Sequence, residues 1–271
     1  MKQVRKPAVA GLFYPSDKTE LKELIDSLYI NTNAEKKSFV KGLVAPHAGY
    51  IYSGLTAANS FHQIKEKSYK RVYIISPSHR EYFPGVSIYN GDAYDTPFSE
   101  LQVDVEMRSE LTSSGRFIFS GIEGHRAEHG IEVELPFLID AIGHVKIIPI
   151  VMGDQRKEIV DELANRLSFL LDDESLVIAS SDLSHFYSKK KAYQLDSIVA
   201  ERISSFQYDE LQSDLDDRIY EACGGGPIVA MMKACGINGY QKSEVLHRSD
   251  SGDVSGDNNE VVGYLSAVIY Q

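Results

Sequence analysis

Hydrophobic positions along the chain follow two alternating rhythms. Continuous apolar runs, rich in β-branched residues and bounded by polar or turn residues, occur at 39–45, 71–76, 145–152 and 175–180. Runs of this length and composition predict strands buried on both faces. A shorter strand is expected at 86–89, and two more at 241–246 and 261–270, flanking an Asp/Gly/Ser-rich loop at 250–259. Between the strands the spacing turns helical. In 17–28, Leu21, Leu24, Ile25 and Leu28 share one face, and similar patterns predict helices at 55–64, 103–111, 158–171, 190–205 and 208–220. Residues 128–142 carry Ile131, Leu135, Leu138, Ile139 and Ile142 on one face. Pro136 interrupts this face, so a kink is expected there. Residues 31–37 are a polar linker. The loop Cys223-Gly-Gly-Gly226 runs into a helix expected to open at Pro227, because proline suits the first helical position.

Strands and helices alternate almost throughout. That order predicts an α/β fold: a central mixed, mainly parallel sheet with helices on both faces. No shift in composition divides the chain, so residues 1–271 are expected to form a single domain.

Composition narrows the function. The chain of 271 residues has 28 Lys+Arg against 39 Asp+Glu, a formal charge of −11. This acidic balance argues against general nucleic-acid binding, which depends on cationic side chains neutralising phosphates. The one basic run, Lys189 to Lys191, reads as a solvated helix start. No apolar stretch reaches the ~20 residues of a membrane span, and the N-terminus lacks the apolar core of a secretory signal. Two cysteines, Cys223 and Cys235, make no disulfide framework, so a reducing cytoplasm is the expected compartment. Phosphate-loop, dinucleotide and nucleophile-elbow patterns are absent. The run Asp250-Ser-Gly-Asp253 lacks the spacing of a calcium loop.

The candidate chemistry sits at strand ends. Three predicted strands run into histidine: Ala45-Pro-His47, Ser76-Pro-Ser-His79 and Ser180-Ser-Asp182-Leu-Ser-His185. Ligands of open α/β sheets bind beyond the carboxyl ends of the strands. Three of eight histidines in equivalent positions therefore point to one shared site, provided that the strands are parallel. Two neutral imidazoles with one anionic ligand suit a divalent metal that keeps open coordination positions. Asp182 could orient His185 or join a metal shell; either it or Ser184 could equally cap a helix. His129 lies in Glu128-His129-Gly-Ile-Glu132, where a helix would pair the two carboxylates on one face. Local spacing alone favours a plain exposed acidic helix start. Cys223, just before a helix N-terminus, is either a dipole-favoured thiolate and soft metal ligand or a small buried hydrophobe. Cys235, in an apolar run, fits the second role better.

Taken together, Ala45-Pro-His47-Ala-Gly-Tyr50, Ser76-Pro-Ser-His79, Glu128-His129-Gly-Ile-Glu132, Ser180-Ser-Asp182-Leu-Ser-His185 and Val261-Val-Gly-Tyr264 resemble the Memo family, whose prokaryotic members are called AmmeMemoRadiSam system protein B. The resemblance spans essentially the whole chain. It implies a fold similar to the class III extradiol dioxygenases, non-haem iron enzymes whose metal is held by two histidines and a glutamate. By resemblance, His47 and His79 take the histidine positions and Cys223 the third, with His129, Asp182 and His185 as candidate acid/base or pocket residues. Cysteine in place of glutamate softens the ligand set, so that copper or zinc becomes as plausible as iron. The resemblance thus implies a metal-dependent redox enzyme of unknown substrate. The alternative is a non-catalytic protein that recognises a small molecule, a peptide or a partner through the same pocket. It also associates the chain with a radical-SAM protein, and nothing in it calls for nucleic acid or a membrane.

Overall fold

The structure, a computed structural model, describes residues 2–271. In chain order its elements are β1 (Val4–Arg5), α1 (Lys18–Ile30), β2 (Gly42–Ala45), α2 (Tyr50–His62), β3 (Arg71–Pro77), β4 (Val86–Tyr89), β5 (Ala93–Tyr94), β6 (Leu101–Gln102), α3 (Val105–Thr112), β7 (Ile118–Gly121) and α4 (Glu134–Ile142). Then follow β8 (Lys146–Met152), α5 (Lys157–Leu170), β9 (Ser175–Ser180), β10 (His185–Tyr187), α6 (Lys189–Ser204), α7 (Tyr208–Asp216), α8 (Gly225–Ile237), β11 (Lys242–Asp250), α9 (Gly252–Ser255) and β12 (Val261–Tyr270).

The main sheet runs β10-β12-β2-β9-β3-β8-β4-β7, with β11 along the other side of β12. Its centre is parallel: β2 pairs with β9, β9 with β3 and β3 with β8. Strands β12 and β4 join this block antiparallel, so the sheet is mixed with a parallel heart, as expected. A small separate sheet, β1-β5-β6, covers part of one side.

The central strands are buried end to end because each face meets a helical layer. Alternate residues of β2 show the division. Val44 packs with Ile75, Ile150, Val177 and the apolar faces of α5 to α8. Leu43 and Ala45 pack with Ile74, Ile178 and the faces of α1, α2 and α4. Helix α1 starts where Asp17 accepts hydrogen bonds from the N–H groups of Thr19 (2.8 Å) and Glu20 (3.0 Å), satisfying two free donors of the first turn.

Two expectations are corrected here. Residues 128–133 are not helical, and the helix begins only at Glu134. Pro136 therefore lies in the first turn, where no intrahelical partner for its missing N–H is needed, and no kink is required. Likewise, α8 begins at Gly225, so Pro227 is its third residue rather than its first, still within the first turn. The short strands β1, β5, β6, β7 and β10 were not foreseen; none exceeds four residues, too few to establish a periodicity.

The candidate metal centre

The parallel block carries its chemistry at one edge. His47 follows the end of β2, His79 follows β3, and Asp182 follows β9, which lies between them. The shared direction of these strands brings together side chains more than a hundred residues apart. The His47 and His79 rings lie 5.0 Å apart between centroids and nearly perpendicular. Cys223, just ahead of α8, places its Sγ 3.3 Å from His47 Nε2. The potential ligand atoms of His47, His79 and Cys223 all lie within 4.8 Å of one another.

Each histidine is held from behind, which leaves its other nitrogen facing the cluster. His79 Nδ1 meets Glu128 Oε1 at 2.8 Å, and the other Glu128 oxygen accepts the His79 backbone N–H at 2.6 Å. His47 Nδ1 meets Ser180 Oγ at 2.7 Å. Backing of this kind is what orients metal-binding imidazoles. The N–H groups of His129 (2.8 Å) and Gly130 (3.0 Å) also point at Glu128 Oε1. Burial opposes ionisation of this carboxyl, but the His79 ring and the backbone N–H groups outweigh it and hold its pKa at about 2. Glu128 is thus a buried anion, not the exposed helix start that local spacing favoured.

His129 stacks on His79, ring centroids 4.7 Å apart. Phe13 of the N-terminal segment meets the His129 ring edge-on at 5.0 Å. Burial pushes the His129 pKa down to about 4, although the Glu128 charge opposes the shift. Burial, with the neighbouring His79 and His129, likewise pushes His47 well below the usual imidazole range. Both shifts favour the neutral imidazole in His47 and His129, the form in which a histidine binds a metal.

Asp182 is placed differently from the expectation that it would orient His185. Its Oδ1 accepts the His47 backbone N–H at 2.9 Å, so it braces the loop of the first histidine. Burial raises its carboxyl pKa to about 7. Neither Asp182 nor Ser184 caps a helix, because the loop leads into strand β10. His185 lies on β10, half-buried beside the cluster, and is absent from the group whose ligand atoms converge.

The thiol of Cys223 also departs from expectation. Its sulfur accepts the Asp182 N–H at 3.2 Å, but burial and the Asp182 carboxylate push its pKa up rather than down. The helix dipole does not create a thiolate here; a bound metal would, because coordination deprotonates a thiol outright. Cys235, by contrast, is wholly buried in the core, as expected.

Three supporting residues escaped the sequence reading. Gln155 spans the Cys223 loop, donating to the Cys223 carbonyl and accepting from Gly226 N–H, both at 2.7 Å. Glu132, fully buried, accepts from the Ala8 and Val9 N–H groups, from Tyr14 hydroxyl and from Arg5. This ties the N-terminal segment to the loop that carries His129. Glu134, also fully buried, meets Ser180 Oγ at 2.8 Å. Of the three, Glu132 and Glu134 stood within the stretch from Glu128 to Pro136 that carries the family resemblance, and nothing in their spacing marked them as buried.

The donor set fits a transition metal. Two imidazole nitrogens and one sulfur converge, and both rings have their outward nitrogens engaged. A soft sulfur beside two imidazoles accommodates iron, copper or zinc better than a hard oxygen-seeking cation. No helix among the described residues is long and apolar enough to cross a membrane.

Comparison with known proteins places this geometry in a family context. A family model described as "Memo-like protein" matches residues 5–268. Proteins named MEMO1 family protein are similar along nearly their whole length. That of Methanobrevibacter smithii is 35% identical, covering 98% of this chain and 99% of its own. That of Thermoplasma volcanium is 36% identical over 98% of both chains, and that of Aquifex aeolicus is 34% identical over 98% and 99%. Among solved structures, uncharacterized protein JW3007 of Escherichia coli K12 superposes with a TM-score of 0.60 at 13% identity, covering 85% of this chain and 99% of that one. At that identity the likeness concerns the fold alone.

Proposed function

The chain belongs to the Memo-like family, and from that premise we propose that it is a metal-dependent redox enzyme acting on a small molecule or peptide at the strand-end cluster, in the manner of the non-haem iron dioxygenases. The observation that carries the reading is the convergence of His47, His79 and Cys223 with both imidazoles braced from behind. His47 Nε2, His79 Nε2 and Cys223 Sγ would hold a divalent transition metal: iron, copper or zinc. Such a metal, when bound, supplies Lewis-acid and, for iron or copper, redox chemistry at its open positions.

The surrounding residues have separable tasks. Glu128 fixes the His79 ring. Asp182 fixes the backbone of His47, and with a carboxyl pKa near neutrality, about 7, it can give or take a proton. His129, neutral and stacked on His79, has its buried Nδ1 3.3 Å from Glu128 Oε1, so it is the other ring nitrogen, Nε2, that would be offered to a substrate hydroxyl. His185 stands at the half-buried margin as a second proton carrier. Phe13, against His129, excludes water from that side.

The thiol in place of a carboxylate favours a second reading, a binding protein that keeps the cluster without turnover and works beside a radical-SAM partner. Metal analysis of protein prepared without chelator, on wild type and on His47→Ala and His79→Ala, separates the readings from a purely structural role. Near-stoichiometric metal in wild type and loss in both variants is expected. Unchanged metal content in the variants would overturn the ligand assignment. Metal-loaded protein that turns over no oxygen with candidate phenols, yet retains a co-purifying partner, would favour the second reading.

A further inference from the structure

Behind His47 lies a fully buried chain of polar groups that neither the ligand set nor the proton carriers use. Ser180 Oγ touches three of them: His47 Nδ1 at 2.7 Å, the Gly130 carbonyl at 2.6 Å and Glu134 Oε1 at 2.8 Å. A hydroxyl has one hydrogen to donate and two lone pairs with which to accept. The Gly130 carbonyl can only accept, so the Ser180 hydrogen goes to it. The other two partners must then donate. His47 therefore carries its proton on Nδ1, and Glu134 donates a carboxylic-acid O–H.

Independent features agree. Glu134 forms no ion pair among the described residues, and its second oxygen, Oε2, is buried without a partner. An ionised carboxylate so placed would be a desolvated charge with one hydrogen bond, which is costly. Burial accordingly pushes its carboxyl well above the usual range. The contact with Gly130 needs the missing side chain: a Cβ there would lie 2.2 Å from Ser76 Oγ and 3.3 Å from His47 Nδ1. On the far side of the ring, His47 Nε2 lies 3.3 Å from the Cys223 sulfur, which also lies 3.5 Å from the Asp182 carbonyl; a lone pair on Nε2 is compatible with a thiol S–H at that distance.

The geometry points to Glu134 as a positioning residue of the metal centre: it remains an un-ionised carboxylic acid and, through Ser180, holds the His47 proton on Nδ1 so that Nε2 is presented to the metal. Only the final clause rests on the ligand role given to His47 above. Three bonds lock the Ser180 hydroxyl. Without the Glu134 donor one lone pair is freed, the hydroxyl can turn, and the imidazole loses its fixed proton.

The test uses the full chain, stripped of metal and labelled with 15N at histidine. Imidazole 15N shifts distinguish a protonated nitrogen from one bearing a lone pair. Wild type is expected to show His47 as the Nδ1–H form. Glu134→Gln keeps an N–H donor toward Ser180 and should preserve that form, whereas Glu134→Leu and Ser180→Ala should let the Nε2–H form appear. Competitive Zn(II) titration of the same proteins should show affinity near wild type for Glu134→Gln and a loss of roughly 10–100-fold for Glu134→Leu and Ser180→Ala. Infrared difference spectra at neutral pH, wild type against Glu134→Gln, should show the loss of one un-ionised acid carbonyl band, while the contribution of Asp182, whose pKa of about 7 leaves it partly protonated, is common to both and cancels; this arm stands even where Glu134→Leu fails to fold. Wild-type His47 in the Nε2–H form, no acid band lost in Glu134→Gln, or a folded Glu134→Leu with unchanged tautomer and affinity would each overturn the proposal. Wild-type protein that binds no Zn(II) while His47 keeps the Nδ1–H form would overturn the ligand role, and the final clause with it, leaving the acid–hydroxyl–imidazole chain standing.

Discussion

Replacing Glu132 with leucine should destabilise the protein severely, and the hydrogen bonds around it set the scale. Its carboxylate accepts from Ala8 N–H (2.7 Å), Val9 N–H (2.9 Å), Tyr14 hydroxyl (2.7 Å) and the Arg5 guanidinium. Arg5 in turn donates to the carbonyls of His125 and Glu128 and lies over the Tyr94 ring, with only 3% of its side chain exposed. Glu132→Leu leaves a buried guanidinium without its counter-charge, a change that costs about 3–5 kcal/mol. It also orphans two amides and a hydroxyl, each worth about 1–3 kcal/mol unless water enters. A loss of at least 3–5 kcal/mol is therefore expected, a large share of the ~5–15 kcal/mol that stabilises a typical domain. Equilibrium urea denaturation measures it. The double variant Arg5→Met/Glu132→Leu should recover part of the loss, because it removes the unpaired charge but not the orphaned amides. Native-state hydrogen exchange should report faster opening at the Ala8 and Val9 amides in both. A Glu132→Leu variant within 1 kcal/mol of wild type, or a double variant as unstable as the sum of the single changes, would refute the reasoning.

Further outcomes follow from the same geometry. Glu128→Gln should weaken metal binding by roughly 10–100-fold, because His79 loses its charged backing, and isothermal titration with Zn(II) checks this. Gln155→Ala releases both ends of the Cys223 loop and should lower affinity for thiophilic Cd(II) more than the variant's loss of thermal stability accounts for. His125 is buried between Tyr94 hydroxyl and the Ser87 carbonyl, with burial pushing its pKa down to about 3. The unfolded chain takes up this proton near pH 6.5 and the folded chain does not, so stability falls by about 1.4 kcal/mol per unit as pH drops from ~6.5 toward ~3. Urea denaturation should accordingly show the stability of wild type relative to His125→Gln falling by about 2 kcal/mol between about pH 7 and about pH 5; an unchanged difference would contradict it. Gly130→Ala should reduce both stability and metal content, since its Cβ would collide with Ser76 Oγ.

The parts of the site that were legible in the sequence were those written in strand grammar. Parallel strands buried on both faces read as unbroken apolar runs, and His47, His79 and Asp182 stand immediately beyond three of them. Cys223 was visible only as a thiol before glycines, and its likeness to a family pattern gave it a ligand role. The supporting layer was not legible. Glu128, Glu132 and Glu134 have the sequence appearance of an acidic, solvated helix start, yet all three are buried, one beside a histidine, one on an arginine and one as an acid against a serine. Partners 46 to 127 residues away decide these roles, and no local spacing encodes them. The helix expected over 128–142 forms only from Glu134 onward for the same reason: the backbone N–H groups of His129 and Gly130 turn to the Glu128 carboxylate instead of entering a helix. Of the two readings open for Cys223, the dipole-favoured thiolate gives way, because burial and the nearby Asp182 carboxylate outweigh the helix dipole.

X-ray absorption at the metal edge, on protein purified without chelator and then on its Cys223→Ser variant, reads the central arrangement most directly. The account predicts one sulfur neighbour at about 2.3 Å and two imidazole nitrogens at about 2.0–2.1 Å in wild type, with the sulfur contribution gone in the variant. A metal surrounded only by oxygen and nitrogen in wild type, or a sulfur signal that survives Cys223→Ser, would contradict it.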